Sequence, residues 1–308
     1  MVLTICPNPS IDCTIELDSL DVGMLNRIDN KVENCSGKAL NVAMGISRLG
    51  GECLATGFMF ENQASRFEYV LNKEKVKHRF VYNPGDARTN YKIIDKRAMM
   101  TEINGRGEEV TEEKQNELVE LVKKISPEFD IAVMSGSLPK GVPSEFYGRV
   151  LKEIPNSVKV IVDAEKDNMI SALGSREIFM VKPNLRELEA FSDERLVDLH
   201  DMVRASKKYI EKGVQYVLLS LGADGAVLTN GTESYFCKSA SVAVSSTVGA
   251  GDSMVAATCV ALLDGKPMTE ILRSAVAAGT ASVTTFGTEL FHYDKYKEIY
   301  TKIYSEKI

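Results

Sequence analysis

A chain of 308 residues with 44% hydrophobic and 26% charged residues can bury a sizeable core in one large or two ordinary domains, which excludes a largely disordered protein. Its 43 acidic and 37 basic residues give a net charge of −6 at pH 7, which argues against a general nucleic-acid binder. No window approaches the ~20 apolar residues of a membrane span, the N-terminus lacks a leader pattern, and six cysteines without CxxC spacing read as small core residues in a reducing compartment, so a cytoplasmic protein is expected.

Val2-Leu3-Thr4-Ile5-Cys6 is an apolar run stopped by Pro7-Asn8-Pro9. It reads as a buried strand that delivers Ser10 and Asp12 to its end, where open α/β sheets keep their ligands. Residues 13–33 alternate in hydrophobicity, with turn signals at Asp21-Val22-Gly23 and Asp29-Asn30, and predict a β excursion away from the main sheet. Ser36-Gly37-Lys38-Ala39-Leu40-Asn41 opens a helix over about 38–49 that carries Lys38 and Asn41 on one face. Lys38 can meet a phosphate and Asn41 can bond hydroxyls, although such a helix start more often only caps. After a helix near 63–75, residues 88–110 form a second β excursion. Residues 89–95 and 98–103 read as hairpin strands that lead to the turn Asn104-Gly105-Arg106-Gly107. The two excursions can pair into one lid. Arg88, followed by Thr89 and Asn90, offers a guanidinium suited to a phosphate, or is a solvated lid arginine.

Helix and strand then alternate: a helix at 111–125, a strand at 131–134, a helix near 143–153, strands at 158–162 and 179–181, a helix at 199–212 and a strand at 216–219. Ser135 to Gly141 places hydroxyls, Ser137 among them, at a strand end, or is an ordinary turn. Lys182-Pro183-Asn184 follows the next buried strand. Asn184 and Glu187 share a helical face and can hold hydrated Mg²⁺ through its waters, or form a helix-opening ion-pair segment. Ser220 to Ala226, with Gly222 and Gly225, presents bare backbone to a nucleotide phosphate or ribose, or is a hairpin turn. The rhythm predicts an α/β core of residues 1–12, 34–87 and 111–308 with a mainly parallel sheet, and a β lid of residues 13–33 and 88–110.

Thr247-Val248-Gly249-Ala250-Gly251-Asp252-Ser253 joins a predicted strand at 241–245 to an apolar helix, Met254 to Leu263. Gly249 and Gly251 let backbone amides approach an anion at a helix N-terminus, where orphan N–H groups and the helix dipole favour negative charge. Asp252 beside that anion hole can take a hydroxyl proton as the oxygen attacks phosphorus, or it caps the helix. His78, His200 and His292 show no sequence-near His, Cys or acidic partner at metal-ligand spacing, so no zinc site is expected. No P-loop, G-x-S-x-G elbow or G-x-G-x-x-G fingerprint occurs, which leaves phosphoryl transfer without a P-loop as the simplest reading.

In this order, Gly249-Ala250-Gly251-Asp252, Asn184-x-x-Glu187 and Ser36-Gly37-Lys38-Ala39-x-Asn41 resemble the PfkB sugar kinase family of the ribokinase-like superfamily, from Asn8 to about Gly287. Asn8-Pro9-Ser10-Ile11-Asp12, Arg88-Thr89-Asn90, Thr101-Glu102-Ile103-Asn104-Gly105 and Ser135-Gly136-Ser137-Leu138-Pro139 look like its 1-phosphofructokinase and tagatose-6-phosphate kinase branch. The resemblance implies a three-layer α/β/α core with a small β-sheet lid. It implies ATP- and Mg²⁺-dependent transfer to a phosphorylated ketohexose, with fructose 1-phosphate as the first substrate and tagatose 6-phosphate or another sugar or nucleoside as alternatives. A non-catalytic sugar-phosphate sensor is the reading of a different class. By the same resemblance, Asp252 would be the base and Gly249, Ala250 and Gly251 the anion hole. Asp12, Gly37, Asn41 and Asn90 would hold the sugar, and Lys38, Arg88 and Ser137 its existing phosphate. Lys182, Asn184, Ser220, Gly222, Gly225 and Ser282 would serve ATP, Asn184 and Glu187 would organise Mg²⁺ through water, and the lid would form a homodimer. The family's usual Gly-Gly-Lys-Gly is here Ser36-Gly37-Lys38-Ala39, which adds two Cβ atoms to the sugar pocket.

Overall fold

The computed structural model describes residues 1–97 and 99–308; Ala98, read from the sequence as the start of a lid strand, lies outside the described residues. The strands are β1 (Val2–Cys6), β2 (Ser10–Leu17), β3 (Asn30–Ser36), β4 (Cys53–Phe60), β5 (Lys77–Asn83), β6 (Arg88–Asp95), β7 (Met100–Asn104), β8 (Ile131–Ser135), β9 (Lys159–Asp163), β10 (Ile178–Val181), β11 (Val214–Ser220), β12 (Ala226–Thr229), β13 (Ser234–Cys237) and β14 (Ser305–Lys307). The helices are α1 (Lys38–Arg48), α2 (Ala64–Lys73), α3 (Glu112–Ile125), α4 (Glu145–Lys152), α5 (Lys166–Leu173), α6 (Leu185–Ser192), α7 (Leu199–Ile210), α8 (Ala250–Leu263), α9 (Met268–Ser282) and α10 (Tyr293–Tyr300). None of them is long and apolar enough to cross a membrane.

Ten strands form one sheet in the order β14-β13-β12-β11-β10-β9-β8-β1-β4-β5. The seven from β11 to β5 are parallel, and a hairpin after β11 adds an antiparallel edge. Every residue of β1 and β8 is buried, as apolar strands covered on both faces must be. Helices α1, α8, α9 and α10 pack as one layer, while α3, α4 and α5 pack against one another and α6 packs against α7. From β1 the chain builds outward to β4 and β5, and later fills the other side from β8 onward. The strand order therefore reverses between β1 and β8, which opens a crevice at their C-terminal ends.

The two predicted β excursions pair into a second sheet, β3-β2-β6-β7, whose central pair β2/β6 is parallel. The sheet begins at Ser10 and β3 runs on to Ser36, so Asp12 lies inside the small sheet and not at the end of a core strand. The reason is local: Pro7-Asn8-Pro9 ends β1, after which the chain resumes as an alternating strand. Ser10, Asp12 and Thr14 take one face, while Cys13, Ile15 and Leu17 form a small apolar cluster with Leu20 and Ile93 on the other. The predicted strand at 241–245 is absent. That segment is an extended loop whose Ser245 and Ser246 amides donate to the Val283 carbonyl at 2.8 and 3.3 Å, so its alternation reflects packing on the end of α9 without a strand partner.

Helix α8 is buried on nearly every side between α1 and α9. The α1 contact depends on Gly45, where an added Cβ would stand 2.7 Å from the Ala256 Cβ. Gly45→Ala gains ~1 kcal/mol of helix propensity, but overpacking a tight core costs about 1–3 kcal/mol. We therefore expect a net loss, seen as a lower urea midpoint with an unchanged m-value. A raised midpoint would show that α1 and α8 can separate at no cost.

Candidate functional site

Five parallel strands end at one place. Asn8 follows β1, Ser135 and Ser137 lie at and beyond the end of β8, Asp163 ends β9, Lys182 follows β10 and Ser220 ends β11. Two helices point their N-termini into the same region. Gly37 caps α1 with φ +142, and a Cβ there would stand 2.9 Å from the Cys6 sulfur. Gly249 caps α8 in the left-handed region, φ +77, with no side-chain cap.

Gly249 brings no capping side chain to α8. The Asp252 carboxylate does not cap α8; its Oδ2 accepts a 2.8 Å hydrogen bond from Asn41 Nδ2 on α1. Asn41 also donates to Ser36 Oγ at 3.3 Å, so Ser36 joins this network. Asp252 is 6% exposed. Burial pushes its carboxyl up to about 6, with Asp163 adding to the rise, while Lys38, Asn41 and Lys182 oppose it.

Beside Asp252, the first turn of α8 presents amide groups that the helix itself cannot satisfy. At Gly251 the space a side chain would fill is taken by Lys182, whose Nζ lies 3.0 Å from the position of the absent Cβ. A cation and helix-terminal amides thus face the same volume, an arrangement suited to a multiply charged anion. Ser282 Oγ, buried and without a hydrogen-bond partner among the described residues, lies 3.8 Å from the corresponding position at Gly249.

Asp163 organises the cations. Its Oδ2 is 3.3 Å from Lys182 Nζ and its Oδ1 is 3.3 Å from Lys38 Nζ. Burial alone would raise the Asp163 carboxyl, but the two ammonium groups outweigh it and hold it below the usual range. Asp163 in turn is the largest influence that raises Lys38, followed by burial working against it and then Asp252 and Glu187. Lys38 therefore sits among carboxylates, with its Cβ 3.7 Å from the Cβ position of Gly136. Arg88 lies on the small sheet opposite Ser10, its Nε buried without a partner among the described residues, and burial lowers its guanidinium. Asn8 connects Arg88 with the strand ends. Its Nδ2 donates to Ser137 Oγ at 3.4 Å, while Gly107 packs between its Oδ1 and the Arg88 Cβ. Asp12 and Asn90 stand opposite each other on the same sheet, joined by a 2.9 Å bond from Asn90 Nδ2.

On the other flank, Asn184 and Glu187 form a capping box. Glu187 N–H donates to Asn184 Oδ1 at 2.9 Å, and Asn184 N–H donates to Glu187 Oε2 at 2.8 Å. Burial raises the Glu187 carboxyl, only partly offset by the Asn184 amide and Lys182. Asn184 bridges to Ser220, whose hydroxyl donates to the Pro183 carbonyl at 3.4 Å. Ser220 to Ala226 is a hairpin turn joining β11 to β12. It is closed at Gly225, φ +111, where a side chain would strike the Cys237 carbonyl, and is open around Gly222.

The expectation for the histidines needs correction. His200 lies between Asp198 and Asp201, and among the described residues these three alone gather ligand atoms within 4.8 Å of one another. His292 likewise lies 3.5 Å from Glu289. Helix α7 already uses the carboxylates: Asp198 caps it by accepting the Asp201 N–H at 2.8 Å, and Asp201 pairs with Arg204 at 3.0 Å. All six cysteines are free thiols, consistent with their reading as small core residues.

Sequence reasoning missed Asp163 and Lys92. Asp163 had a usable signal, since it follows an apolar strand just as Ser135 and Lys182 do. Lys92 continues the polar alternation of Arg88 and Asn90, but its partner becomes visible only once β2 and β6 pair.

Helix-terminal amides, a cation and a buried carboxylate gathered at the ends of a parallel sheet are the groups that a phosphotransferase with an alcohol acceptor requires. Comparison with known proteins agrees: the profile of the pfkB family of carbohydrate kinases matches residues 7–293, and the chain belongs to that family. It is 31% identical over 284 residues to the 1-phosphofructokinase of Escherichia coli K12, covering 92% of this chain and 91% of that one. It is 29% identical over 308 residues to the tagatose-6-phosphate kinase of Staphylococcus epidermidis, covering 98% of each. The structure of phosphofructokinase-2 from Escherichia coli in complex with substrates and products superposes with a TM-score of 0.90 at 28% identity, covering 98% of each chain.

Proposed function

We propose that the chain transfers the γ-phosphoryl group of ATP to a hydroxyl of a ketohexose that already carries a phosphate, converting fructose 1-phosphate to fructose 1,6-bisphosphate. The observation that carries this reading is the Asn41–Asp252 bond. It withholds a buried carboxylate from helix capping and presents it beside the anion hole, where an acceptor hydroxyl needs a base. In this reading Asp252 takes the hydroxyl proton, and the amides of Gly249 to Gly251, with Lys182, receive the transferred group. Asp12, Gly37, Asn41 and Asn90 hold the sugar. Its phosphate lies against Arg88 and Ser137, with Lys38 between that phosphate and the reacting one. Orphaned Arg88 Nε and the Asn8 and Asn90 carbonyl oxygens, all buried, support a polar ligand there.

ATP lies along the ends of β10 and β11, against Lys182, Asn184, Ser220, Gly222 and Gly225, with Ser282 near the base. A hydrated Mg²⁺ fits Asn184 and Glu187, because Glu187 is a half-buried carboxylate whose charge is only partly compensated. When bound, the ion would neutralise charge on the ATP phosphates. Tyr91, Met100 and Ile103 leave apolar surface exposed on the small sheet, which supports a homodimer formed through the lid.

The test is ADP release with Mg-ATP against fructose 1-phosphate, tagatose 6-phosphate, fructose 6-phosphate, fructose and ribose. Selective turnover of fructose 1-phosphate supports the reading. Preference for tagatose 6-phosphate moves the assignment to that activity, turnover only of unphosphorylated sugars removes Arg88 and Lys38 from phosphate binding, and binding without turnover favours a sensor.

The Asp252 carboxyl near 6 also fixes a pH dependence. A base must be ionised, so kcat is expected to fall as pH drops through about 6, well above the ordinary aspartate value of 3.8. Stability responds with the opposite sign. The native state binds this proton more tightly than the unfolded chain does, so Asp252 costs stability above about pH 6, and that cost is relieved as pH falls toward 3.8. An acid limb centred near 4 in the rate profile would show that Asp252 is not the titrating base.

A further inference from the structure

Lys92 stands two residues beyond Asn90 on the inner face of the small sheet and is 5% exposed. In the β2/β6 register Asp12 lies opposite Asn90 and Lys92 opposite Thr14, so the lysine reaches back diagonally by one row. Its Nζ stands 3.0 Å from Asp12 Oδ2. Asp12 Oδ1 accepts from Asn90 Nδ2 at 2.9 Å and from Ser10 Oγ at 3.1 Å. An ionised carboxylate offers about four acceptor positions. Among the described residues three donors occupy Asp12, which leaves about one position for a ligand.

A buried ion pair of this kind is weak evidence for stability, because desolvation offsets much of the attraction. Here the pair also orients a carboxylate on the same sheet face as Ser10, whose register partner Ser36 accepts from Asn41, the donor to Asp252. We propose that Lys92 is a positioning residue for the phosphoryl acceptor: it holds the Asp12 carboxylate so that its one remaining acceptor position meets a single hydroxyl of the sugar. The inference rests on the sugar-phosphate reading above and adds to it a residue that sets acceptor recognition without touching the reacting atoms.

The experiment is a double-mutant cycle in steady-state kinetics, run with whichever sugar the wild-type enzyme turns over. Lys92→Met is expected to raise the KM for that sugar roughly 10–100-fold, the loss typical of a hydrogen bond to a charged group. The KM for ATP and kcat at saturating sugar should each stay within about threefold, because neither the anion hole nor Asp252 is touched. Asp12→Asn should also raise the sugar KM. Adding Lys92→Met to Asp12→Asn should then change it by less than about twofold, since Lys92 acts only through Asp12. Lys92→Arg keeps the charge and should recover most of the affinity.

If burying Asp12 without a partner prevents Lys92→Met from folding, the comparison of Asp12→Asn with the double variant carries the test, because the double variant buries no unpaired charge. An unchanged sugar KM in Lys92→Met, additive effects in the cycle, or a parallel loss of kcat and ATP affinity would each overturn the inference. Turnover of unphosphorylated sugars alone would refute the substrate reading while leaving the cycle to be read on those sugars.

Discussion

Asp252→Asn is expected to lower kcat by roughly 10²–10⁴-fold, the range in which a positioned general base contributes, while ATP still binds. Asparagine keeps the size of the side chain and an oxygen that can accept from Asn41 Nδ2, now 2.8 Å from the carboxylate, so the α1–α8 contact survives. The backbone amides of Gly249 to Gly251 and the Lys182 ammonium are untouched, which preserves the anion hole. The same substitution should raise stability. Burial shifts Asp252 from 3.8 to about 6, so at neutral pH the folded protein carries an unfavourably buried charge. Removing it is worth about 1–3 kcal/mol, at ~1.4 kcal/mol per pKa unit less what Lys38 loses. A misfolded variant loses activity and stability together, whereas a lost base yields a slower enzyme with a higher melting temperature. Stopped-time ADP assays with a thermal melt at pH 7.5 separate the two, and near-normal turnover would remove Asp252 as the base.

What the sequence made legible follows from how local each feature is. The Gly249–Asp252 turn, the Gly37 helix start and the Asn184/Glu187 pair each lie within one helical turn, and their chemistry is read from a few consecutive residues. In the structure they are the caps of α8, α1 and α6. Parallel strands were legible as apolar runs, yet β4 and β5 went unread, because glycine, charged and polar residues break up their patterns. The segment at 241–245 shows the opposite failure, since alternation marks an extended chain but cannot supply a neighbouring strand. Asp12 and Lys92 are 80 residues apart and meet only after two distant excursions pair. Asp163 itself ends a legible apolar strand, but its partners Lys38 and Lys182 open a helix and follow another strand, so the pairing was not legible. The glycine-rich turn before α8 and the broad fold were thus legible, while the charge network that orients the side chains needed three dimensions.

That network is expected to carry a large stability effect. Asp163→Asn keeps the shape of the β9 end but removes the negative charge shared by two lysines. The two lysines are not equally affected. The Lys38 side chain is 37% exposed and can be solvated in place, whereas Lys182 is 7% exposed and is left as a buried ammonium beside the positive end of α8. Breaking a buried pair from one side costs about 3–5 kcal/mol, and the solvated Lys38 places the expectation at the lower end, about 3 kcal/mol by urea unfolding. Because the native carboxyl is held below 3.8, its contribution is present in full above about pH 4 and fades as pH falls through the lowered native value. The gap between wild type and Asp163→Asn should therefore be constant from pH 5 to 8 and narrow in stronger acid. Asp163→Asn combined with Lys182→Met buries no unpaired charge and should regain most of the lost stability while remaining poorly active, because the cation at the anion hole is gone. A single variant as stable as wild type would mean that Lys182 finds another partner, and the electrostatic account of the anion hole would then have to be rebuilt around that partner.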